Sequence, residues 1–142
     1  MVRAVCAVVC LACILPLSGH AAERLEPGLY EITVRVAMPN LGDAIPAVTH
    51  QRCVTATLMA SGEAFQVLSN NNPLTTCPRV DLRTEAAVTT FRIVCPGPNK
   101  ASAMAAFEAA DGGFSGRFVM NMGGKNMTMS EAQVARRIGP CP

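Results

Sequence analysis

Tryptophan is absent, tyrosine occurs once, and charged side chains make up only 15% of the 142 residues. So few aromatic rings leave no platform for stacking bases, and no run of lysine or arginine neutralises phosphates, which excludes nucleic acid as a partner. Histidine is almost missing too, with only His20 and His50 present. A nucleophile, histidine and acid set would have to use His50, and no serine occupies a G-x-S-x-G elbow. The acidic residues are scattered without the spacing that paired glycosidase carboxylates need. Gly-Gly at 112 and at 123 punctuates turns and does not open a phosphate-binding loop. These gaps argue against an enzyme and against any cofactor.

The only long apolar run lies at the N-terminus. "MVRAVCAVVCLACILPLSGHAA" has one basic residue, Arg3, an apolar stretch from Ala4 to Leu15, Pro16, and small residues approaching Ala21. This order predicts a secretory signal peptide, residues 1–21, whose apolar stretch is too short to span a bilayer comfortably. Cleavage is expected after Ala21, with Ala22 as the alternative. A lipoprotein signal fits less well: Cys13 follows the small Ala12, but Cys10 stands where leucine is wanted. Residues 22–142 then form a single β-rich domain, periplasmic or secreted, with no transmembrane segment. Without Arg3 it carries 12 − 1 = 11 basic and 10 acidic residues, a net charge near +1.

Cleavage removes three of the seven cysteines and leaves Cys53, Cys77, Cys95 and Cys141. Four cysteines in an exported chain, with no C-x-x-C among them, predict two disulfides in preference to a zinc site. Cys53 with Cys77 and Cys95 with Cys141 is the favoured pairing; Cys77 with Cys95 and Cys53 with Cys141 competes with it.

Alternation carries the rest. "PGLYEITVRVAMPN" sends Tyr30, Ile32, Val34 and Val36 to one face, and a loop containing Pro39, Asn40, Gly42 and Pro46 leads to a second strand, "AVTHQRCV". Thr55 caps a short helix that is interrupted near Gly62. "RVDLRT" and "VTTFRIVC" form a hairpin around "EAA", in which Val80 and Leu82 alternate with Asp81 and Arg83. "KASAMAAFEAA" is alanine-rich, which favours helix, but Asp111-Gly112 ahead of an alternating strand predicts a hairpin. That turn sets Phe107 opposite Gly116 and Ala105 opposite Phe118, large against small. After Ser130 the apolar set becomes Ala132, Val134 and Ile138, so a bulge or bend is expected there.

One hairpin offers chemistry. In "MNMGGKNMTM" the register sets Met122 opposite Met127 and Met120 opposite Met129, four thioethers on one face. Such sulfurs suit Cu(I) or Ag(I), with His50 as a further ligand; the competing reading is a core face shared with Phe107, Phe114 and Phe118.

"PGLYEITVRVAMP" after a signal peptide, "CVT" before a helix, a cysteine ahead of one strand and another after the next, methionine–threonine alternation and a terminal "RRIGPC" together resemble the bacterial exported domain-of-unknown-function family 3617. The resemblance runs from Pro27 to Cys141 and implies a small periplasmic β-rich domain with no established catalytic residues. Tyr30 stands where many members have tryptophan. The chain is thus expected to be mainly β: an antiparallel curved sheet, sandwich or partial barrel of about seven strands, with one short helix and two disulfides. Its expected role is a non-enzymatic binding or envelope-associated module, taking an unknown ligand or envelope protein, with soft-metal binding or a hydrophobic ligand on the sheet face as alternatives. Its oligomeric state is left open.

Overall fold

The computed structural model describes residues 24–39, 41, 45–98, 100–110, 112–123 and 127–142. The expected signal peptide, with Cys6, Cys10 and Cys13, and parts of the turns at Asn40–Gly42, Asp111 and Gly124 therefore lie outside the described residues. Seven strands form one antiparallel sheet: β1 Gly28–Ala37, β2 Val48–Val54, β3 Arg79–Glu85, β4 Val88–Val94, β5 Ser102–Ala110, β6 Gly113–Asn121 and β7 Thr128–Gly139. Their spatial order is β2-β1-β7-β6-β5-β4-β3. Strands β2 and β3 are consecutive in sequence, yet they form opposite edges. The chain between them, residues 55–78, must therefore cross a face of the sheet, and it covers the apolar one.

That face is built by alternation: Tyr30, Ile32, Val34, Phe91, Ile93, Phe107, Phe114, Phe118 and Met120 are all buried. The crossover adds α1, Ala56–Ala60, and a 3-10 turn, Pro73–Thr76. Between them Phe65 stacks on Phe107 at 4.5 Å and meets Phe114 edge-on at 5.1 Å. One buried aromatic from the crossover thus joins rings of β5 and β6, where aromatic pairs add to area burial.

The alanine-rich segment is strand β5, and Phe107 faces Gly116 while Ala105 faces Phe118. Burying alternate alanines against phenylalanines outweighs helix propensity here, since a helix would break both the ladder and the size matching. A Cβ at Gly116 would collide with Ala106 O and the Phe107 ring. Gly116→Val is expected to cost about 3 kcal/mol through overpacking, read as a lowered urea midpoint; a loss below about 1 kcal/mol would show that the pair has slack.

Three expectations need correction. No bulge occurs at Ser130: β7 pairs continuously with β6 from Thr128 to Arg136, so its parity persists and buries Glu131 and Gln133 while Ala132 and Val134 stay exposed. The irregularity lies instead between Leu29 and Tyr30, opposite Gly139 and Arg137. In β3 a second shift falls between Val80 and Arg83, where Asp81 takes φ 57°, so the simple alternation of Val80 and Leu82 is broken. Arg92 reaches Asp81 there at 2.6 Å.

The favoured cysteine pairing is also replaced. Cys53 joins Cys141, with Cα atoms 5.3 Å apart, and Cys77 joins Cys95, at 4.8 Å. Topology explains both bonds. Leu29 pairs with Cys53 on one side and Gly139 on the other, which brings the C-terminal tail to the end of β2. Cys77 and Cys95 flank the open end of the β3–β4 hairpin, where Val94 N–H donates to Pro78 O.

Candidate functional site

The crossover is held to the sheet through its backbone. Thr55 caps α1 by accepting from Leu58 N–H, and Gly62 turns the chain at φ 71°. From Ala64 onward the segment has no helix or strand of its own until Pro73, so its polar groups need other partners. Sheet side chains supply them. Arg52 donates to Ala64 O at 3.1 Å, Arg79 to Phe65 O at 3.4 Å, and Gln133 to Gln66 O at 2.7 Å. The two Glu131 carboxylate oxygens accept from Leu68 N–H at 2.9 Å and Ser69 N–H at 3.0 Å, and Gln133 Nε2 also donates to Glu131 Oε1.

Arg52 belongs to β2 and Arg79 to β3, the two sheet edges, yet they grip neighbouring carbonyls. The sheet is therefore curled around the crossover without its edges pairing. Burial lowers the pKa of both guanidinium groups, and the Arg79 charge lowers that of Arg52 further, with Glu63 opposing the effect. Arg79 also sits over the Phe91 ring, 5.8 Å from its centroid. On β1, burial raises the pKa of the Tyr30 phenol, whose hydroxyl donates to Glu26 O at 2.6 Å.

Grooves remain on the covered side where the crossover does not fill it. The larger, about 370 Å³, runs between the N-terminal Arg24–Leu25, α1 and the tip of the β3–β4 hairpin; Met59, Phe65, Ala87 and Ala109 form its apolar wall. Its polar groups are Arg24 and the hydroxyls of Thr84 and Thr89, which bond each other at 3.0 Å. A smaller groove, about 260 Å³, follows β1 along Val34, Val36 and Met38, with His50, Leu68 and Met129 on its other walls.

The methionine hairpin has the expected register. Met120 faces Met129, and Met122 N–H donates to Met127 O at 2.9 Å. The four sulfurs nevertheless occupy different settings. Met120 and Met129 are core residues, and Met120 Sδ accepts from Asn72 Nδ2 at 3.3 Å; Met122 is half-buried and Met127 is 51% exposed. His50 stands opposite Ile32 on β1 and lines the smaller groove together with Met129, whereas Met120, Met122 and Met127 are not among the residues lining it. Among the described residues no group of three or more histidine, cysteine, aspartate or glutamate side chains converges on a metal-sized site.

The sequence reading missed Glu131 and Gln133. The available signal was their shared parity with Met129, which two successive polar residues disguise as a switch of face. Gln133 Oε1 is buried and has no partner among the described residues.

A family model described as "Protein of unknown function (DUF3617)" matches residues 25–141. No curated protein and no solved structure matches the chain.

Proposed function

The chain belongs to the DUF3617 family, and we propose that it is an exported, non-enzymatic binding module whose covered face takes an amphiphilic ligand with an acyl-like body and an anionic head. The observation that carries this reading is the larger groove, within the size range of small-molecule sites and walled by Leu25, Met59, Phe65 and Ala109, with Arg24 as its one cation among the described residues. The apolar wall removes a chain from water, while the guanidinium gives the head a charged partner. Latching of the crossover supplies preorganisation, because the wall containing Phe65 is fixed before a ligand arrives. The two disulfides suit an oxidising compartment.

A dansyl-labelled fatty acid is a direct probe. Ala87→Trp fills the groove from a half-exposed turn position and is expected to weaken probe binding by about tenfold or more, a loss of roughly 1.4 kcal/mol, with unchanged thermal stability. Arg24→Ala is expected to weaken it by about threefold. Undiminished binding by a folded Ala87→Trp variant would reject this groove as the site.

A further inference from the structure

The opposite face of the sheet carries a pattern that the sequence conceals. The pairings Arg35 with Ala132, Ala132 with Arg117, Arg117 with Ala106, Ala106 with Thr90 and Thr90 with Arg83 define a continuous row across six strands. Three arginines far apart in sequence share this row, separated only by small residues. All three are exposed, and among the described residues none lies within 4.0 Å of a carboxylate; the two ion pairs are Arg92 with Asp81 and Arg136 with Glu31. Interstrand spacing places Arg117 about 10 Å from Arg35 and about 14 Å from Arg83.

Apolar side chains flank the row. On one side Val119 and Met104 are cross-strand partners, 51% and 58% exposed; on the other, Val134 is 63% exposed. Glu108 faces Ser115 in the row containing Val134, with Glu85 at that row's end, and on the other side Asp81 is neutralised by Arg92, which faces Met104. Exposed aliphatic residues beside unpaired cations match a surface that offers both negative charge and hydrocarbon. Extended phosphate polymers offer the first without the second, and among the described residues this face has no aromatic side chain on which a base could stack.

We propose that this outer face docks on an anionic phospholipid bilayer, with Arg35, Arg117 and Arg83 meeting headgroup phosphates and Met104, Val119 and Val134 entering the interface. The attachment proposed is peripheral, made by side chains of the sheet face; no helix among the described residues is long and apolar enough to cross a membrane. Surface cations near anionic lipid each contribute roughly 1 kcal/mol, or about fivefold in partitioning, and salt screens the effect. The docking face is opposite the groove, so either proposal can fail without the other.

The test is co-sedimentation of the full chain with vesicles of phosphatidylcholine alone or containing phosphatidylglycerol. Partitioning is expected only with phosphatidylglycerol, falling as salt rises. Arg35→Glu with Arg117→Glu is expected to lower it at least tenfold, with Arg83→Glu as an independent single variant should the double variant fail to fold. Fatty-acid probe binding is expected to stay unchanged. Equal partitioning to neutral vesicles, no partitioning to anionic vesicles, or undiminished partitioning of folded charge-reversal variants would each overturn the proposal.

Discussion

Glu131→Ala will destabilise the fold by roughly 4 kcal/mol, one of the two largest effects expected from changes in this chain. Glu131 is fully buried, and its two oxygens serve Leu68 N–H and Ser69 N–H while one also receives Gln133 Nε2. Alanine leaves those donors without acceptors away from water, and an orphaned buried donor costs about 1–3 kcal/mol. The loss also releases the crossover beside Phe65, whose ring holds Phe107 and Phe114 together. Urea unfolding with the disulfides intact measures the effect. Val134→Ser, three residues along but largely exposed, should remain within about 0.5 kcal/mol of the parent. A Glu131→Ala loss below about 1 kcal/mol would mean that water replaces the carboxylate and that the crossover is held by apolar packing alone.

Removing the Cys53–Cys141 bond by a double serine substitution should cost more than removing Cys77–Cys95. The first bridges a sequence separation of 88 residues and the second 18. In the chain-entropy account the corresponding losses are about 4.6 and 3.2 kcal/mol. The structure gives the difference a second cause: Cys53–Cys141 ties the edge strand β2 to the tail of β7 across β1, whereas Cys77–Cys95 closes a hairpin already held by its ladder. Non-reducing peptide mapping checks the connectivity, and denaturant unfolding of the two double variants checks the order. A reversed order would reject loop closure as the main source of stabilisation.

Local patterning made several elements legible. Alternation placed β1 and β2, the Thr55 cap placed α1, and the Phe107–Gly116 match set the β5–β6 register. Each depends on neighbours in sequence or on a tight hairpin, where few alternatives compete. The parity of β7 was misread because Glu131 and Gln133 look like solvent-facing residues until the crossover supplies Leu68, Ser69 and Gln66 as partners. Those residues lie more than 60 positions away, and nothing in a strand pattern signals a buried carboxylate whose ligands are backbone amides.

By itself, then, the sequence determined an antiparallel β-rich chain with one short capped helix and the registers of its tight hairpins, because apolar period, turn residues and side-chain size act over short separations. Only the tertiary structure decided that β2 and β3 are opposite edges, which cysteines meet, that the crossover covers one face, and that three distant arginines share a row on the other. Those outcomes follow from strand order, which brings residues together at about 5 Å per strand regardless of their separation along the chain.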